Sequence, residues 1–308
     1  MSLKRSQTLE IARKKAKAEL SRRQTAREGS LAFAQYTMPG YRVGAHHRLL
    51  CEKLDAVERG EIKRLMVFMP PRHGKSELTS KRFPAWYMGR NPKKQIITAS
   101  YGATLAQGFG RDVRNIVGSP EFASLFPGVG VAADSSARDN WHTNKGGVYT
   151  AMGVGGGLTG KGAHVALIDD PVKDRQDAES PVIREATWDW YRSVLRTRLM
   201  PGGAIVLVLT RWHPDDLAGR LLDEMANGTG ENWEVLSLPA ICETEPDRLG
   251  RKAGDALWPD LFPLRELRQI EKSVGPREWA ALYQQKPAPS KGALFDTSVI
   301  NIVDAAPT

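Results

Sequence analysis

Leu65-Met66-Val67-Phe68-Met69-Pro70-Pro71-Arg72-His73-Gly74-Lys75-Ser76 passes from a short apolar run, through a turn, into a stretch with helical patterning. A strand, a turn and a helix in that order form the context a phosphate-binding loop requires. Backbone N–H groups at the helix start converge on phosphate oxygens, and the positive end of the helix dipole adds to them. On this reading Pro71, Arg72, His73, Gly74, Lys75, Ser76 and Glu77 form the nucleotide-binding segment. Lys75 bridges the terminal phosphates of ATP, and Ser76 ligates Mg²⁺. Gly74 is expected because a side chain there obstructs the approach of backbone to phosphate. The segment departs from the pattern Gly-x4-Gly-Lys-[Ser/Thr] at its first position, where Met69 stands.

Outward from this loop, apolar runs of strand length recur at 65–69, 95–100, 165–169, 204–210 and 233–238. Helical stretches accompany them at 47–59, 75–88, 104–117 and 180–199. The alternation implies right-handed crossovers and an α/β fold, a mainly parallel sheet flanked by helices on both faces. Ligands of such sheets sit beyond the carboxyl ends of the strands.

The run Val165-Ala166-Leu167-Ile168-Asp169-Asp170 ends in two carboxylates. A nucleotide hydrolase needs one carboxylate to hold Mg²⁺ through its water shell and another to orient the attacking water. Neighbouring strand residues point to opposite faces, so the two cannot share a role. Asp169 is assigned to the metal and Asp170 to the water. A further run ends in Thr210-Arg211-Trp212-His213, where a hydroxyl and a guanidinium stand ready to sense the γ-phosphate. Arg72, and Lys161 in the stretch 153–162 with its six glycines, are cations expected to reach the transition state. Any one of these motifs alone reads as an ordinary strand end; their joint occurrence carries the argument.

Composition narrows the class. The 308 residues are 41% hydrophobic, enough for a buried core, and no run of about 18 apolar residues marks a membrane span. The N-terminus lacks the apolar segment of a secretory signal, so a cytoplasmic place is expected. Cys51 and Cys242 lie too far apart in sequence for a Cys-x-x-Cys site. Of the formal net charge of +9, six units fall within residues 1–30, where nine Lys/Arg meet three Glu. That basic arm reads equally as a helix touching phosphates or an acidic partner and as a solvated tail. Beyond residue 240 the chain becomes Pro- and Trp-rich, which sets a boundary there, and 286–292 reads as a linker.

The spaced motifs together resemble a known family. Met-Pro-Pro-Arg-His-Gly-Lys-Ser (69–76), Ser100-Tyr101 followed by Arg111 and Arg114, Leu158-Thr159-Gly160-Lys161-Gly162 leading into Leu167-Ile168-Asp169-Asp170-Pro171, and Thr210-Arg211-Trp212-His213-Pro214-Asp215-Asp216-Leu217 look like the large terminase subunit of tailed phages and prophages. The resemblance runs from about residue 41 to 292. It implies a P-loop NTPase of the ASCE type with a small C-terminal subdomain, divided as a basic arm 1–30, an ATPase core 31–240, an associated subdomain 241–290 and a linker 291–308 towards a nuclease domain. It also implies ATP and Mg²⁺ as cofactors, and double-stranded DNA, a small terminase subunit, a portal protein and a ring of further copies as partners in the host cytoplasm, with no membrane. Met69 ceases to be an anomaly, since relatives tolerate the missing glycine. Relatives more often carry Glu where Asp170 stands, which leaves Asp174 and Asp177 as possible assistants. They commonly carry Arg in place of Lys161, as a finger acting on a neighbouring subunit, and contact adenine through the segment containing His46 and His47. Nuclease activity is not expected from this stretch of chain. A helicase-like ATPase and an ATP-binding assembly module with little turnover are the competing expectations.

Overall fold

The computed structural model describes residues 2–135 and 137–288. In chain order the elements are helices α1 (Ser2–Glu28), α2 (Ser30–Thr37) and α3 (Ala45–Glu58), strand β1 (Arg64–Phe68), a π-helical turn (Glu77–Arg82) running into α4 (Phe83–Arg90), β2 (Gln95–Ser100), α5 (Ala103–Val117) and α6 (Pro120–Leu125). There follow β3 (Asn140–His142), β4 (Val148–Gly153), β5 (Ala163–Asp169), α7 (Arg175–Glu179), α8 (Pro181–Trp190), β6 (Leu199–Leu209), α9 (Leu217–Ala226), β7 (Glu234–Ser237), α10 (Leu264–Val274) and α11 (Pro276–Glu278), the last continued by a π turn at Trp279–Tyr283.

The strands form one seven-stranded sheet in the order β3-β4-β2-β5-β6-β1-β7, in which only β3 runs antiparallel. Continuous apolar runs suit this sheet because both faces are covered. Alternate residues feed opposite cores: Leu65, Val67, Val165, Leu167, Val206 and Val208 pack against α2 to α5, while Met66, Phe68, Ala166, Ile168, Ile205 and Leu207 pack against α8 and α9.

Two strands were not foreseen. β3 has only three residues, and β4 follows the glycine pair 146–147; their pairing is fixed by Trp141 stacked on Tyr149, ring centroids 5.2 Å apart. The expected helix at 180–199 stops short, since α8 gives way to a π turn at Tyr191–Leu195 and a 3-10 turn at Arg196–Arg198, and Leu199 already begins β6.

The basic arm is one helix, α1, with anchoring contacts near its carboxyl end. There Ala26 is buried, Arg23 and the Tyr36 hydroxyl both donate to Glu19, and the Trp86 indole N–H donates to the Arg27 carbonyl at 3.0 Å. At the other end of the chain Ala240, Ile241, Ala256, Leu267 and Trp279 form a small cluster of their own. The stretch 291–308, expected as a linker, lies outside the described residues. No helix among the described residues is long and apolar enough to cross a membrane.

Candidate nucleotide site

Residues from three strand ends meet at the carboxyl edge of the sheet. β6 lies between β1, whose following loop carries Lys75, and β5, which ends in Asp169. The Lys75 ammonium, almost wholly buried, donates to the Thr210 hydroxyl and lies 3.3 Å from Asp170 Oδ2. Asp170 Oδ1 accepts the Thr210 backbone N–H at 2.7 Å, closing a triangle of lysine, carboxylate and hydroxyl. This triangle floors an open cleft of about 540 Å³, also lined by Pro71, Arg72, Ser76 and Glu77. Glu77 is held by Arg82 at 2.8 Å and Lys81 at 3.3 Å.

Backbone strain is concentrated here. Three described non-glycine residues have positive φ, and two of them are Arg72 (φ 64) and Asp170 (φ 46). Such conformations persist only where surroundings over-determine them, and they cluster at functional sites. Asp170 is fixed by its N–H to Val208 C=O at 2.9 Å and its C=O to Tyr101 N–H at 3.0 Å. Tyr101, a residue motif reading did not give a role, thereby enters the cleft wall.

The loop rests on a nest of imidazoles. The His73 carbonyl accepts from His46 Nε2 at 3.2 Å and from His47 Nε2 at 3.0 Å, and His47 Nδ1 accepts the Gly44 N–H at 3.0 Å. A carbonyl can only accept, so both rings carry their proton on Nε2. His73 in turn donates from Nδ1 to the Pro71 carbonyl at 2.8 Å and stacks on Phe262 at 4.4 Å. Burial pushes all three far below the ordinary histidine range, His46 to about 3 and His47 and His73 to about 4. They are neutral at physiological pH.

This nest corrects two expectations. His47 is wholly buried with both nitrogens engaged by backbone, so it braces the loop from behind and presents no face to a ligand. The His73 side chain is likewise turned into the fold, leaving only its backbone near the cleft. Gly74 (φ 83) is needed for a reason on the same side: a Cβ there would stand 2.4 Å from His47 Nε2 and 2.8 Å from the Tyr41 hydroxyl. The close approach is to the protein beneath the loop.

Asp169 is 1% exposed, and its Oδ2 accepts from the Ser80 hydroxyl at 2.5 Å while Oδ1 has no partner among the described residues. Burial and the neighbouring Asp170 charge push its carboxyl upward. Among the described residues no group of three or more His, Cys, Asp or Glu converges as a metal cage. The donor set nonetheless fits Mg²⁺, which is typically held by one or two carboxylates together with water and phosphate oxygens. The Ser76 hydroxyl lies against the same carboxyl.

Other expected residues stand elsewhere. Lys161 precedes the amino end of β5, on the sheet edge opposite Asp169, and the neighbouring Gly162 packs beside Gln95 and Met200 at strand starts. It does not reach this cleft from its own chain. Arg211 turns inward, donating to Asp216 Oδ2 at 2.7 Å and lying 4.9 Å from the Phe68 ring centroid. Asp216 is also the cap of α9, accepting the Gly219 N–H at 2.8 Å, so the pair fixes the exit from β6 and is not part of the cleft lining. Asp174 caps α7 through the Asp177 N–H at 3.1 Å. Arg175, without a sequence signal of its own, donates to the Trp212 carbonyl at 2.5 Å and to Glu278 at 3.1 Å.

A family model described as "Terminase large subunit, T4likevirus-type, N-terminal" matches residues 66–302, more than half of the chain. No curated protein matches it in sequence. Among solved structures, the HK97 bacteriophage large terminase aligns with a TM-score of 0.49 at 12% identity, covering 77% of this chain and 50% of that one. A mutant of the Thermus phage P74-26 large terminase ATPase domain aligns at 0.44 and 13% identity, covering 75% and 93%. A large terminase from a thermophilic bacteriophage, in complex with ADP, aligns at 0.42 and 11%, covering 76% and 52%. The chain thus spans about half the length of the first and third of these proteins.

Proposed function

The chain belongs to the family of T4-like large terminase subunits, matching their N-terminal part, and from that premise we propose that it is the ATP-hydrolysing motor domain of a viral packaging terminase, driving double-stranded DNA into a procapsid. The observation that carries the reading is the placement of Lys75 opposite Asp170 and Thr210 in one cleft at the carboxyl edge of the sheet. Lys75 provides the cation for the terminal phosphates, Ser76 and Asp169 the metal ligands, and Asp170 the base beside the attacking water. Mg²⁺, when bound with the nucleotide, supplies charge neutralisation across the phosphates.

The chain's own part is a change of partners. As phosphates enter the cleft, Lys75 exchanges its contacts with Asp170 and Thr210 for phosphate oxygens. Asp170 is released from the ion pair yet remains aimed by the Thr210 N–H, free to orient a water and accept its proton. Loss of the γ-phosphate lets Lys75 return, and the Thr210 hydroxyl registers that return on β6. The following Arg211–Asp216 pair passes the change to α9. Arg72 faces the cleft as a further cation; Lys161 acts on a neighbouring copy's nucleotide in an assembled ring. The DNA, small-subunit and portal partners follow from the family.

The test compares the wild type with Lys75→Ala and Asp170→Asn. Lys75→Ala is expected to lose ATP binding. Asp170→Asn keeps MgATP binding and lowers kcat by about 10²- to 10⁴-fold, the usual contribution of a general base. Hydrolysis by Asp170→Asn at the wild-type rate, or a wild type that binds no ATP, defeats the reading.

A further inference from the structure

The Asp169 carboxyl is buried at the end of β5 with one oxygen held and one free. The Ser80 hydroxyl donates to Oδ2 at 2.5 Å, and Oδ1 has no partner among the described residues. A buried carboxylate oxygen with nothing to accept from is costly, and its persistence calls for an explanation. The held oxygen supplies part of one, because a carboxylate gripped at one end presents the other in a fixed direction.

Ser80 comes from the π-helical turn Glu77–Arg82 that follows the phosphate-binding loop directly. Single π turns inside helices occur frequently at functional sites. Ser76 and Ser80 are four residues apart along this segment, and both hydroxyls reach the same carboxyl. Ser80 is 1% exposed, and among the described residues its hydroxyl also lies 3.3 Å from Thr79 Oγ1. Thr79 spends its own proton on the Lys75 carbonyl at 2.8 Å, while the short, charge-assisted contact claims the Ser80 proton for Asp169.

We propose that Ser80 is a positioning residue: its hydroxyl locks the Asp169 carboxyl so that the free oxygen, together with the Ser76 hydroxyl, faces the divalent cation that accompanies ATP. This rests on the nucleotide-site reading and adds the residue that tunes its metal. Without the hydroxyl the carboxyl is free to rotate and Oδ2 is left unsatisfied, so metal affinity falls while the phosphate loop itself is untouched.

The experiment titrates Mg²⁺ against binding of a fluorescent ATP analogue, and repeats the binding in EDTA. Ser80→Ala is expected to raise the Mg²⁺ concentration for half-maximal binding by about 10-fold or more, the usual effect of removing a group that orients a metal ligand. Affinity in EDTA stays at the wild-type value, and Ser80→Thr, which keeps the hydroxyl, recovers the Mg²⁺ dependence. Should Ser80→Ala fail to fold, Ser80→Cys preserves the volume with a weaker donor and is read the same way. An unchanged Mg²⁺ dependence overturns the proposal, as does an equal loss of binding with and without the metal, the mark of a merely structural residue. The two readings fail separately: no nucleotide binding by the wild type removes the ATPase assignment, whereas Mg²⁺-dependent binding that Ser80→Ala leaves alone removes only the role of Ser80.

Discussion

Gly74 carries two constraints at one position. Its φ of 83 lies where a side chain costs of order 1–3 kcal/mol, and a Cβ there would collide with His47 Nε2 and the Tyr41 hydroxyl. Gly74→Ala is therefore expected to destabilise the protein by about 2 kcal/mol or more and to weaken nucleotide binding with it. His47→Ala removes one of the two clashing groups but also a buried brace of the loop, so the losses of the two single variants are expected to be less than additive in the double variant. Thermal melts of the three variants check this, and a Gly74→Ala protein as stable as wild type contradicts the geometry described. Asp170 is constrained more mildly: at φ 46 it occupies a region in which short polar residues are enriched.

At the scale of elements, the loop 69–76 is held against α3 by neutral imidazoles. Their depressed values give a pH dependence of definite sign. Unfolded, His46, His47 and His73 titrate near 6.5; folded, they stay neutral down to about 3 to 4. The unfolded chain thus binds more protons between those limits. Stability from these groups is fully present above about pH 6.5 and is lost as the pH falls towards 4, by up to about 1.4 kcal/mol per pH unit for each group. Asp55, Asp169 and Asp216, all shifted upward mainly by burial, pull the other way. A differential measurement separates the two: His46→Phe, whatever its absolute stability, should flatten the melting-temperature slope between pH 7 and 5. An unaltered slope means that His46 is not a buried neutral group.

For the whole molecule the question is what joins the segment beyond residue 240 to the sheet. Arg175–Glu278 at 3.1 Å and the Glu179–Arg277 pair cross between them, but their side chains remain 21–33% exposed. Pairs in that setting contribute about 0.2–1 kcal/mol. Apolar contacts outweigh them: Trp258 is buried and meets the His47 ring edge-on at 4.6 Å, and Phe262 is stacked on His73. Trp258→Ala is expected to cost about 3–5 kcal/mol, against a coupling below about 1 kcal/mol in an Arg175→Ala/Glu278→Ala double-mutant cycle. Denaturant titrations order the two effects, and a larger ion-pair term reverses this account of the junction.

Local pattern was enough for the parallel sheet and for the loop at 69–76, because apolar runs buried on both faces and a strand-turn-helix junction are written in consecutive residues. It singled out Lys75, in the loop after β1, and Asp170 and Thr210, each just past a strand end, whose side chains the fold brings into contact. Side-chain direction was not local. His47 and Arg211 have the chemistry of ligand-facing groups, but packing turned one under the loop and the other onto Asp216; Ser80, an ordinary helix serine by sequence, was brought to Asp169 by a π turn. Which way a polar side chain points depends on partners 89 residues away for Ser80 and 26 for His47. Only the closed fold, where each buried donor must find its acceptor, settles that.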